Sequence, residues 1–161
     1  MINKNRLATL SLNLLLLFVW AFSTADAQNY GGGRLEGTWD ALVNITNCST
    51  GGTLLSFQST ANFNKGGTFT GITAGMPPAL RTPEVGVWRH EIGNSYRFRF
   101  KAYQFNPAGV PIRYQIVTHD AELSEDGQTY TSSGEVKFFL MNGTPDGGGC
   151  SNSTATRFTL D

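Results

Sequence analysis

The chain has 161 residues, 40% of them hydrophobic and 15% charged, with twelve basic and twelve acidic side chains and two cysteines. So even a balance, with no basic run, gives no footing for nucleic acid or an anionic membrane as partner. Neither a Ser-His-Asp arrangement, a Walker loop, a dinucleotide fingerprint nor a cluster of cysteine ligands is present, and no metal or cofactor is expected.

Residues 1–27 read as an address. Lys4 and Arg6 make a basic start, 10–22 is almost wholly apolar, and Ala25-Asp26-Ala27 supplies small residues for a signal peptidase. The apolar run is shorter than the roughly 20 residues a membrane span needs, so the pattern predicts a signal peptide cut before Gln28 and no span afterwards. A secreted or periplasmic location follows. Residues 28–35, with Gly31-Gly32-Gly33, are a flexible lead-in, and 36–161 form one domain. Setting aside Lys4, Arg6 and Asp26 leaves ten basic and eleven acidic side chains. In an oxidising compartment Cys48 and Cys150 are most simply one disulfide.

The domain then alternates in chain order. Over 35–47, Trp39, Ala41, Val43 and Ile45 share one face, the period-2 signature of a half-buried strand. Over 53–63, Leu55, Phe57, Ala61 and Phe63 do the same, and Asn64-Lys65-Gly66-Gly67 turns the chain. A third strand over 67–74 is β-prone without choosing a face. Residues 74–83 hold three prolines and read as the longest loop. The fourth strand, 85–92, puts Trp88 and His90 on one face. In the fifth, Tyr96, Phe98, Phe100 and Ala102 alternate with Arg97, Arg99 and Lys101. Asn106-Pro107-Ala108-Gly109 is a turn, and a sixth strand is expected to turn Val110, Ile112, Tyr114, Ile116 and Thr118 inward and His119 outward. The seventh aligns Tyr130, Ser132, Gly134, Val136, Phe138 and Leu140. Residues 142–149 read as a second mobile loop, and an eighth strand covers 151–160.

Short spacings and hairpin turns throughout argue an all-β antiparallel up-and-down meander, and eight strands is the number at which such a sheet closes into a small barrel. A two-sheet sandwich fits the same strands. The ends of the chain favour the barrel: a Cys48–Cys150 bond closing the first and last strands sets Trp39 against Thr159 and makes Trp39 and Arg157 diagonal neighbours on the inward face. Loops near 48–52, 74–84, 105–109 and 141–150 then surround one mouth, with Trp39 and Arg157 at the other end.

Gly37-Thr38-Trp39 on the first strand, Arg157 on the last and eight meandering strands resemble the lipocalin and calycin superfamily of ligand-binding barrels. Leu35-Glu36-Gly37-Thr38-Trp39 with Gly67-Thr68-Phe69-Thr70-Gly71 is similar, more distantly, to avidins. The resemblance implies that Trp39 and Arg157 have a structural role, sealing the closed end, and that the open end takes a small molecule. The long first loop and late helix of many lipocalins, and the later tryptophans of an avidin biotin site, have no counterpart here.

A ligand would meet inward residues below the mouth, and the candidates are Phe57, Trp88, His90, Tyr96, Phe98, Phe100, Tyr114, Ile116, Tyr130 and Phe138. That wall suits a small hydrophobic or aromatic molecule; it equally suits a barrel filled by its own side chains. His90 is a lone histidine with no second ligand at metal spacing, and reads as structural. Asp120 and Glu122 follow the inward parity of the sixth strand at its end, where solvated carboxylates are the plainer account. No catalytic residue is assigned. The leading expectation is a secreted or periplasmic binding barrel. Beside it stand a small barrel enzyme, a cyclase or isomerase confining a reactive substrate and drawing on His90, Tyr96 or Tyr114, and a loop-mediated interaction module. Nothing in the sequence fixes the oligomeric state.

Overall fold

Alternation gives each segment a wet face and a dry one, and the dry faces can be buried together only if the sheet curls round them. A computed structural model describes residues 34–160; the leader, most of the lead-in and Asp161 lie outside them. Eight strands run β1 Gly37–Thr46, β2 Thr53–Asn64, β3 Thr68–Thr73, β4 Glu84–Ile92, β5 Ser95–Phe105, β6 Pro111–Leu123, β7 Thr129–Leu140 and β8 Pro145–Arg157. Each pairs antiparallel with its neighbours in sequence, and β1 pairs with β8, closing an up-and-down barrel. Closure leaves no sheet edge exposed. A single short 3-10 turn, Pro78–Leu80, interrupts the long proline loop. Among the described residues no helix is long and apolar enough to cross a membrane.

The seam between β1 and β8 departs from the expected register by two residues. Trp39 lies directly opposite Arg157, and Thr46 opposite Cys150. The expectation set Cys48 directly opposite Cys150; Cys48 instead lies beyond the paired residues, in the 47–52 turn, and still bonds Cys150 with the Cα atoms 5.2 Å apart. Because the offset is even, every side chain keeps its face. Arg157 stacks its guanidinium 4.2 Å from the Trp39 ring centre. It also donates to the carbonyls of Gly127 at 3.0 Å, Glu36 at 2.7 Å and Arg34 at 2.5 Å.

Two further expectations are corrected. The sixth strand turns the other way: Gln115, Val117, His119, Ala121 and Leu123 are buried, whereas Tyr114 and Ile116 face out. The stretch 145–149, expected as loop, is already β8. Gly148 pairs with Lys137 and Gly149 with Val136, and a Cβ on Gly148 would lie 2.5 Å from the Val136 carbonyl oxygen. Glycine is there because two backbones approach closely, not because the chain is loose.

The interior divides into two halves. Around the end sealed by Arg157, Leu35, Trp39, Phe63, Trp88, Tyr96 and Leu123 are fully or almost fully buried. Phe63 is the hub, meeting Phe69, Trp88, Phe98 and Tyr130 edge to face, the arrangement aromatic quadrupoles favour. Both indoles are satisfied, Trp39 Nε1 donating to Leu35 O and Trp88 Nε1 to Asn64 O, each at 3.0 Å. The half toward the disulfide is hollow.

Candidate functional site

The inward side chains shrink along the barrel. Below the mouth β1 offers Ala41 and Val43, and β8 offers Ser151 and Ser153. The space they leave is a cavity of about 340 Å³, at the lower end of the range for small-molecule sites.

Its apolar wall comes mainly from β1, β2 and β5: Val43, Leu55, Phe57, Phe98 and Phe100, completed by Phe138 of β7. The 74–83 loop folds over one side, where Gly75 lies so close to the Phe57 ring that a Cβ would meet it at 2.8 Å. Met76 and Arg81 of the same loop also line the cavity.

The polar floor centres on His119. Its Nδ1 lies 2.8 Å from Ser132 Oγ and its Nε2 2.8 Å from Ser151 Oγ, while Ser132 Oγ meets Ser153 Oγ at 2.7 Å. A neutral imidazole donates through one nitrogen and accepts through the other, and a hydroxyl can answer either. Burial lowers the His119 pKa from 6.5 to about 4, Asp120 offsetting part of this, so the ring is neutral at pH 7. Burial likewise raises the pKa of the Tyr130 hydroxyl above its usual range, a hydrogen bond with Ser153 working against it.

Charge enters nearer the mouth. Arg81 and Glu84 form an ion pair at 2.9 Å, their side chains 8% and 7% exposed. Burial pushes the Glu84 carboxyl upward, and the neighbouring Arg81 guanidinium partly restores it. Arg113 Nε donates to Gln104 Oε1 at 2.6 Å, and Gln104 Nε2 to Gln115 Oε1 at 3.0 Å. Outside, Arg113 meets Asp146 at 3.4 Å.

Of the ten residues expected to line a pocket, Phe57, Phe98, Phe100, Tyr130 and Phe138 do so. Trp88 and Tyr96 point inward but belong to the packed half. His90 is beside them, its Nε2 2.7 Å from Gly93 O and its ring 4.9 Å from Tyr96. Tyr114 and Ile116 are on the outer face, Tyr114 stacked on Phe139 at 5.2 Å with Lys101 Nζ 3.9 Å above its ring. The three residues on which the enzyme reading rested therefore lie away from the cavity. Asp120 and Glu122 point outward too, Asp120 accepting two hydrogen bonds from Arg97 and Glu122 one from Ser95.

Arg81, Glu84, Gln104, Gln115, His119, Ser151 and Ser153 were not foreseen as lining. The signal that would have found His119 was present in β6: Val117, Ala121 and Leu123 share its parity, while Thr118, Asp120 and Glu122 do not. No protein family's sequence profile matches the chain, and no curated protein matches it.

Proposed function

We propose that this chain is an exported, lipocalin-like barrel that holds one small apolar or aromatic molecule in its hollow half and releases it unchanged. The observation that carries the reading is the 340 Å³ cavity, apolar on most of its wall and polar on its floor and rim. Apolar walls supply affinity and a few fixed polar groups supply orientation. The leader-like residues 1–27 and the Cys48–Cys150 bond support export. The floor supports binding over chemistry, since burial holds the His119 pKa at about 4 and makes it a weak base at pH 7.

Titration of the purified protein with environment-sensitive apolar fluorophores tests the reading. Saturable one-to-one binding is expected, abolished by Ile45→Trp, which puts a ring into the cavity from a position outside the packed cluster. Absence of saturable binding by any apolar probe, with nothing copurifying, would sink it.

A further inference from the structure

Arg81 is buried in the cavity wall, with one of its terminal nitrogens on Glu84 at 2.9 Å and its Nε without any hydrogen-bond partner. A guanidinium has five N–H donors and stays charged at every working pH. Leaving one of them dry and unmatched is costly, and native structures rarely tolerate it without a purpose. The charge count of the wall points the same way. Among the described residues lining the cavity, the cations are Arg81 and Arg113 and the anion is Glu84, so one positive charge has no counterpart within. Asp146 sits on Arg113 from outside, at 3.4 Å and more than a third exposed, where solvent weakens the pairing.

We infer that the molecule held in the cavity is a monoanion, a small aromatic or aliphatic carboxylate that pairs with the Arg81 guanidinium where this side chain lines the cavity. This rests on the reading that the cavity binds a ligand, and names that ligand's class. The planar fork of an arginine matches a carboxylate and no cation. Apolar neighbours such as Phe57 and Phe100 keep water away, which strengthens the ion pair, and they receive the uncharged body. Glu84 sets the limit at one charge: a second negative group on the ligand would stand beside a buried carboxylate without a further arginine to neutralise it.

A matched series separates this inference from the one beneath it. Naphthalene-2-carboxylate, its carboxamide and 2-naphthylmethylamine share a ring and differ in charge; their binding to the purified protein is followed at pH 7 by calorimetry. The carboxylate is expected to bind at least tenfold more tightly than the carboxamide, and the amine least. In the double variant Arg81→Gln/Glu84→Gln, which removes both partners together, the ratio of carboxylate to carboxamide affinity should fall to about one, whatever the absolute affinities become. Equal affinity of carboxylate and carboxamide for the unmodified protein would overturn the inference and leave the binding barrel standing. Failure of the whole series and of neutral apolar probes would remove both.

Discussion

Arg157 is a single side chain that joins β8 to two other parts of the chain, the 34–39 stretch and the turn at Gly127. It covers Trp39 and caps the carbonyls of Arg34, Glu36 and Gly127. Replacement by Met keeps bulk over the indole but strands those carbonyls at the sealed end. A loss of roughly 2–4 kcal/mol is expected from charged hydrogen bonds and the cation–π contact together, read as a lowered urea midpoint. Lys would not rescue it, because one ammonium cannot span three acceptors set in a fork. His119 makes a second prediction, in pH. Unfolded, it binds its proton near pH 6.5; folded, only near 4. Between those values the unfolded chain holds more protons, so stability falls as pH drops through the window, by on the order of 3 kcal/mol in total. Glu84, whose carboxyl is raised by burial, slopes the other way, stability falling as pH rises above its ordinary range. Comparing wild type with His119→Gln at pH 7, 5.5 and 4.5 isolates the histidine, since Glu84 is common to both. Parallel pH profiles would contradict a buried neutral imidazole.

Strands were legible where every apolar residue fell on one face. β5 reads cleanly because its outward positions are Arg97, Arg99 and Lys101. β6 misleads because its outward face near the mouth carries Ile112, Tyr114 and Ile116, part of an external layer with Tyr103, Phe139 and Lys101, while its inward face carries Gln115 and His119. A wall that must be polar inside and aromatic outside inverts the hydrophobic count on which face assignment depends. The glycines of β7 and β8 mislead in a related way, since glycine signals both loops and close approach. Gly134 lies opposite His119, and a Cβ there would fall 2.0 Å from the Thr118 carbonyl oxygen and 2.7 Å from the imidazole Cδ2. Gly134→Ala should therefore cost about 1–3 kcal/mol and weaken ligand binding through a displaced His119, both measurable on one preparation. An unchanged melting temperature would show that the strands can part without penalty.

For the molecule as a whole, closure of the barrel was legible from its two ends, and a two-residue error in register did no harm because parity survived it. That the interior would be packed at one end and hollow at the other was not. Such an outcome depends on which large side chains fall at the same height, with Trp39, Phe63 and Trp88 together and Val43, Ile45, Ser151 and Ser153 together, and height follows from strand stagger rather than from any one strand's pattern. The disulfide fastens the hollow end. Its cysteines are 102 residues apart in sequence, so the loop it closes removes roughly 4–5 kcal/mol of unfolded-state entropy in the chain-entropy account. Cys48→Ser/Cys150→Ser should melt well below the oxidised protein, and reductant should shift the wild type toward the double variant. Coincident melts would mean that the bond contributes nothing to the fold.

Trp39 and Trp88 both sit in the packed half, each with its indole nitrogen committed to a backbone carbonyl. Their emission is then a built-in gauge of one compartment and blind to the other: blue and sharp while the sealed end holds, red when it opens. Loading the cavity with a non-absorbing ligand should leave the maximum where it was, whereas Arg157→Met should shift it. Movement on ligand addition would mean that the two halves of the barrel are mechanically joined.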